Sequence, residues 1–218
     1  MKMPQKERMI KYYDELFKKY GYDHRSLDWK DPVGQKKRYS VLFDAVKLGG
    51  KEAGFSLLDL GSGLGHFYGY LKEAGALKKH KIGYTGYDIN SDLVSAAKKK
   101  FPEARFETID ILDGYFTQKF DYVFSCGVFN IRLSGTAEHD AFVKEMLLRM
   151  YESSNIAAAV NFLSHSGRYH VHGRLEDESV YRYFKPEEIV QYVRSFTGKF
   201  VLRHDYHPAD FTVYMLKE

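Results

Sequence analysis

Leu57-Leu58-Asp59-Leu60-Gly61-Ser62-Gly63-Leu64-Gly65-His66-Phe67 joins a short apolar run to an amphipathic segment through three alternating glycines. The run, residues 55–60, reads as a buried strand, and residues 64–74 read as a helix. Glycines between them let the chain turn sharply and let a ligand approach the backbone with no Cβ in the way. In an open α/β sheet the ligand crevice lies beyond the carboxyl ends of the strands, where this loop falls.

Working outward, strands and helices alternate. Upstream, residues 5–20 carry apolar side chains at helical spacing (Met9, Ile10, Tyr13, Leu16, Phe17), and Gly21 ends them. Asp31-Pro32 opens a second helix as N-cap and first residue, with an apolar face of Val41, Leu42, Ala45, Val46 and Leu48, and Gly49-Gly50 stops it. Downstream, strands are expected at 82–89, 105–108, 120–125 and 156–162. Helices are expected at 91–101 (capped by Ser91) and 138–151, and a helix opened by Pro186 runs to 196. Strands at 199–204 and 211–216, joined by a turn around Pro208, form a hairpin, so one of them runs antiparallel to the rest. The pattern predicts a seven-stranded, mostly parallel sheet with helices on both faces and an N-terminal helical extension.

Bulk properties narrow the function. At 218 residues without repeats or a Pro/Ser-rich linker, the chain is expected to form one domain, a helical cap over residues 1–50 and a core over 51–218. The net charge of +4 is too mild to point to nucleic acid. A single cysteine, Cys126, allows neither an intrachain disulfide nor a thiolate metal cluster. With no signal-like or membrane-length apolar run, a cytoplasmic location is expected.

Two cofactor classes use a loop like that at 61–65. A dinucleotide fold takes Gly-x-Gly-x-x-Gly, with a pyrophosphate at the helix N-terminus. Here the spacing is Gly61-x-Gly63-x-Gly65, and His66 stands at the sixth position. Asp59 fits poorly beside a pyrophosphate and suits a cationic ligand such as a sulfonium amino acid.

Asp59 to Gly65 resembles the first motif of class I (Rossmann-like) S-adenosylmethionine-dependent methyltransferases, and further segments follow in that family's order. Tyr84-Thr85-Gly86-Tyr87-Asp88-Ile89 resembles the second strand, whose terminal acid meets the ribose hydroxyls. Thr108-Ile109-Asp110-Ile111 resembles the segment whose acid meets the adenine amino group. The run from Phe120 through Ser125, Cys126, Gly127 and Val128 to Phe129 resembles the fourth strand and the start of the active-site loop. The resemblance, from about Gln35 to the C-terminus, implies a three-layer Rossmann-like sandwich and S-adenosylmethionine as cofactor, with S-adenosylhomocysteine as product. It implies cofactor contacts from Asp59, Gly61, Ser62, Gly63, Gly65, Phe67, Asp88, Ile89, Asp110, Ile111, Cys126, Gly127 and Phe129. Gln35 and Arg38, one helical turn apart, resemble a Gln-x-x-Arg pair that reaches the cofactor carboxylate; a solvated polar face is the other reading. Tyr12, Tyr13 and Trp29 read either as a lid or as plain packing.

Methyl transfer from a sulfonium asks the protein mainly to position the acceptor and exclude water, so the fold carries no universal catalytic residue. The stretch 164–174 overhangs the crevice and holds three histidines, two arginines and Tyr169; it offers His165 or Tyr169 as a base, cations for an anionic acceptor, or only a polar surface loop. His170 and His172 find no carboxylate or cysteine in this loop to complete a metal set, and no metal is expected. Ser125-Cys126-Gly127-Val128 lacks the proline pattern of DNA adenine methylation. The expected acceptor is a small molecule, and the cations of that loop suit one with a carboxylate or other anionic group. A protein or RNA methyltransferase and a non-catalytic cofactor-binding partner subunit are the alternatives, a dinucleotide oxidoreductase stands behind them, and the oligomeric state stays open.

Overall fold

The structure, a computed structural model, describes residues 5–113, 116–132, 134–169 and 180–218, with the side chains of 168 and 169 left out. Helix α1 spans Gln5–Tyr20, α2 Pro32–Gly49, α3 His66–Glu73, α4 Ala76–Lys79, α5 Ser91–Lys100, α6 Thr136–Ser153 and α7 Pro186–Val193. Strand β1 spans Ser56–Leu60, β2 Gly83–Asp88, β3 Arg105–Thr108, β4 Phe120–Ser125, β5 Ser154–Leu163, β6 Phe200–Arg203 and β7 Asp210–Leu216. The strands form one sheet in the order β3-β2-β1-β4-β5-β7-β6. All pairs are parallel except β5–β7 and β6–β7, so β7 is the reversed strand and the C-terminal hairpin supplies it. This is the three-layer Rossmann-like sandwich.

Alternation along each strand sorts side chains onto two cores. Leu57, Tyr84, Tyr122, Phe124 and Ala157 point to the face covered by α2, α3 and α5. Leu58, Leu60, Tyr87, Val123 and Val160 point to the face covered by α6 and α7. Each fully buried leucine contributes roughly 1.5–3 kcal/mol. Small Ala157 and Ala159 at the centre of β5 leave room for the rings of Tyr122, Phe124 and Tyr214 on the same face of neighbouring strands.

Several boundaries differ from expectation for local reasons. Helix α3 starts at His66 rather than at 64, because Gly61, Gly63 and Gly65 all hold positive φ and keep the chain in a loop. Helix α5 is capped by Asn90, not Ser91: the Asn90 side chain accepts from the N–H groups of Asp92 and Leu93 at 2.9 and 3.1 Å. Leu48 is 43% exposed and lies off the apolar face of α2, and the short α4 goes unread in the sequence. Asp31 caps α2 as expected, accepting from Gly34 N. Because α2 packs on the sheet, the cap ahead of the core consists of α1 and the 3-10 turn His24–Leu27, not of all residues to 50.

Asn90 does two jobs. Its Oδ1 caps α5, while its Nδ2 donates to Asp14 of α1 at 2.8 Å and to the Ile10 carbonyl at 3.4 Å. Asn90→Ala removes a cap worth about 1 kcal/mol and a tether of α1 together. The expected result is a melting temperature lower by about 2–4 °C per kcal/mol lost, with α1 amides exchanging with deuterium faster than those of the sheet.

Candidate functional site

A cavity of about 460 Å³ opens at the carboxyl ends of β1, β2 and β4 and is roofed by α1. The volume falls in the range of small-molecule sites, roughly 300–1,000 Å³. Among the sequence-predicted residues, Arg38, Asp59, Gly61, Ser62, Gly63, Phe67, Asp88, Ile89, Asp110, Ile111, Cys126 and Gly127 line it. They lie far apart in the chain, and the parallel strands bring their ends together.

The loop after β1 is fixed by backbone bonds: the N–H groups of Gly61 and Ser62 both donate to the Tyr87 carbonyl, at 2.8 and 3.0 Å. Gly61 has φ +75°, and a Cβ there would meet Val128 Cγ2 at 2.2 Å, so no other residue fits this turn. Asp88 ends β2 and accepts from Gly63 N at 2.8 Å and from Asn90 N at 2.9 Å. An ionised carboxylate has about four acceptor sites, so two backbone donors leave capacity for a ligand. Asp110 accepts from Leu112 N at 3.0 Å and from Lys6 Nζ at 2.8 Å, which ties α1 to the far end of the cavity.

Asp59 is buried and accepts from the Tyr84 hydroxyl at 2.5 Å. Burial, with the nearby Asp88 charge adding to it against the Tyr84 hydrogen bond, raises its carboxyl to about 7. Burial also raises Asp88. Among the described residues no basic side chain bridges either acid. Two acids crowded without a counter-ion fit a cationic amino acid, and the buried Ser62 hydroxyl, with no partner in the protein, adds an unspent polar group at the same loop. The residues therefore fit S-adenosylmethionine.

Other expected members sit elsewhere. Gln35 does not line the cavity; its side-chain amide meets His66 Nδ1 at 3.3 Å, and burial lowers His66 to about 4, so this imidazole stays neutral. Arg38 reaches the cavity wall, yet its guanidinium grips the carboxylate of Asp210 in a fork (Nε to Oδ1 3.1 Å) and lies over the Trp29 ring. Gly65 packs the start of α3 against Phe106, and a Cβ there would come within 2.8 Å of that ring. Phe129 is core, stacked on Phe162 at 5.8 Å. Burial pushes the Cys126 thiol far up, which leaves it a neutral wall.

His165 falls on a second, shallow depression with Lys185, Glu187 and His204, away from the cofactor loop. The Tyr169 side chain and residues 170–174, with His170 and His172, lie outside the described part. Among the described residues no group of three His, Cys, Asp or Glu is placed to hold a metal, and no helix is long and apolar enough to cross a membrane.

Of the N-terminal aromatics read either as a lid or as plain packing, Tyr13 and Trp29 line the cavity and Tyr12 does not. Sequence reasoning missed Lys6, Asp28, Asn130, Tyr181, Tyr183 and His207 on the same wall. They sit on segments with no local pattern, and only the fold gathers them.

Residues 58–150 match a family described as a methyltransferase domain. The chain is 28% identical over 165 residues to the Mycobacterium tuberculosis protein Rv1506c, named as a methyltransferase; the match covers 75% of this chain and 93% of that one. Its fold is similar to magnesium protoporphyrin IX methyltransferase (ChlM) from Synechocystis PCC 6803 with bound S-adenosylhomocysteine, at TM-score 0.64, 17% identity and coverage of 97% and 99%. It is also similar to DhpI in complex with S-adenosylhomocysteine, at TM-score 0.65, 14% identity and coverage of 96% and 95%. The family match over the cofactor strands, the relative and the two solved structures are all of methyltransferases, and this chain is similar to them in sequence over that segment and in its Rossmann-like fold.

Proposed function

We propose that residues 1–218 act as one methyltransferase domain that methylates a small molecule held beneath α1. The carrying observation is the extent of the cavity. It runs past the cofactor segments to Asp28, Trp29, Tyr181, Tyr183 and His207, under a roof made by Met9, Ile10 and Tyr13. A roofed, aromatic-lined cavity supports a small acceptor over a protein or RNA strand. ChlM, named for its action on magnesium protoporphyrin IX, adds support for an acceptor of this size class. An anionic group on the acceptor would lie beside Lys30, Arg38 and His207.

When bound, S-adenosylmethionine supplies an electrophilic methyl group on a sulfonium. Asp59 and the 61–63 loop hold its amino-acid end, Asp88 the ribose hydroxyls, and Asp110 with Ile111 the adenine. Arg38 is anchored by Asp210 and braces Trp29 on the acceptor side. Tyr13, Ile10 and Met9 keep water out, which strengthens every polar contact inside.

Asp59 gives a pH test. Below about 7 it is protonated, and above that value it is ionised. A cationic ligand prefers the ionised form, so affinity for S-adenosylmethionine should rise with pH through that range and then level off. Calorimetry near neutral pH in buffers of different ionisation enthalpy should show a proton released on binding. A flat profile would remove Asp59 from the site.

The acceptor class is tested by incubating the protein with methyl-labelled S-adenosylmethionine and a cell extract, then separating the extract by size. Label in the small-molecule fraction supports the proposal. Label only in protein or RNA overturns it, and bound cofactor with no transfer anywhere favours a partner subunit.

A further inference from the structure

We propose that Asp28 is the general base of the transfer, and that the acceptor presents it with a protic nucleophile, a hydroxyl or an amine N–H. The inference rests on the methyl-transfer reading above and adds the reacting group.

Asp28 follows the 3-10 turn in the left-handed region, at φ 57°, with its N–H held by the carbonyls of Arg25 and His24. That backbone places the carboxylate on the cavity wall. The Tyr181 hydroxyl donates to its Oδ2 at 2.8 Å, and the Tyr12 hydroxyl lies near enough to interact with it. A neutral donor fixes a carboxylate without neutralising it, and it leaves acceptor capacity on the two oxygens. Tyr13 lies close enough to feel both Asp28 and Asp88, so Asp28 borders the cofactor half of the cavity.

The other acids on this wall have work already. Asp59, Asp88 and Asp110 belong to the cofactor segments, and Asp31 caps α2 through Gly34 N at 2.6 Å. Cys126, Tyr13 and Tyr181 are held protonated by burial. His207 is tied to Asp210 at 2.8 Å. Tyr12 and Tyr13 from α1, Tyr181 from the strand-flanking segment and Lys30 from the same loop are the titratable groups that face Asp28. Burial raises Asp28 against the pull of the two tyrosine hydroxyls and of Lys30, which makes it a stronger base than an exposed aspartate.

In the transfer the acceptor's lone pair forms the new bond to the methyl carbon. Its X–H proton passes to the Asp28 carboxylate, and the electron pair of the broken bond leaves with sulfur. Solvent later takes the proton from Asp28.

The test compares the wild type with Asp28→Asn, a change the left-handed backbone tolerates because asparagine also adopts it. In one arm each protein, saturated with S-adenosylhomocysteine, is titrated with 4-nitrophenol, whose phenolate absorbs visible light. A phenol hydrogen-bonded to Asp28 should stay protonated to higher pH than the free probe, and Asp28→Asn should abolish that shift. In the other arm a panel of phenols and amines, with carboxylic acids alongside, is offered with methyl-labelled S-adenosylmethionine. Phenols or amines should be methylated, about 100-fold more slowly by Asp28→Asn, with cofactor affinity by calorimetry unchanged. The wild-type rate should rise with pH to a plateau, and the variant should lose that rise.

Three results overturn the assignment: a variant rate within threefold of wild type, transfer to carboxylic acids alone or to no panel member, or a probe shift identical in the two proteins. All three leave cofactor binding intact. Wild-type protein that fails to bind S-adenosylmethionine strikes instead at the methyl-transfer reading beneath.

Discussion

Asp88→Ala should lower affinity for S-adenosylmethionine by about 1,000-fold, roughly 4 kcal/mol, the loss of two charge-assisted hydrogen bonds to a vicinal diol. The side chain sits at the carboxyl end of β2, where it already takes Gly63 N and Asn90 N. Removal therefore acts twice: the ligand loses its acceptor, and the loop after β1 loses the bond that aims Gly63 at the cavity. Asp88→Asn separates the effects, because an amide keeps one acceptor oxygen for the loop while the charge is gone. Its affinity should fall between those of wild type and Asp88→Ala. Calorimetry measures both, and a melting temperature close to wild type shows that the sheet is intact. Full affinity in Asp88→Ala would place the ribose elsewhere.

Removing the carboxylate of Asp210 should cost the fold more than any surface change. Asp210 is fully buried at the start of β7 and Arg38 is only 13% exposed, and the two are joined in a fork with His207 on the same carboxylate. Asp210→Ala strands a guanidinium in a nearly dry site, which costs about 3–5 kcal/mol. In a chain of this size that corresponds to a melting temperature lower by about 6–20 °C. Deleting both charges, as Arg38→Met with Asp210→Leu, should recover much of the loss, since a buried pair is often no better than an apolar replacement. The double variant would still lose the brace on Trp29. Thermal unfolding of the single and double variants decides the point. Equal destabilisation by the two would show that the pair, not the stranded charge, carries the stability.

These expectations draw on different layers of information. Asp59, Asp88 and Asp110 were legible because each lies at or just beyond the carboxyl end of a strand with a strong local signature: an apolar run, then glycines or an acid. Asn90 was read past in favour of Ser91, since both residues can cap a helix and only backbone geometry chooses between them. Gln35 and Arg38 share a helical face, as their spacing requires. Spacing could not reveal that His66 would take the first and Asp210, far along the chain, the second. Gly65 and Phe129 belong to motifs that neighbour the cofactor, yet the space around them is filled by Phe106 and Phe162.

The sequence by itself determined the alternation of strands and helices and a C-terminal hairpin with one reversed strand, because periodicity, caps and glycine turns are local and survive without partners. The cofactor was read from the family resemblance of its motifs, and strand pairing alone made β7 the reversed strand. The acceptor wall was decided by tertiary structure alone. Tyr13, Asp28, Tyr181 and His207 come from α1, a 3-10 turn, an irregular segment and a hairpin turn. Their meeting depends on α1 folding back over the sheet through Asn90 and Lys6, long-range contacts that no stretch of neighbouring residues encodes.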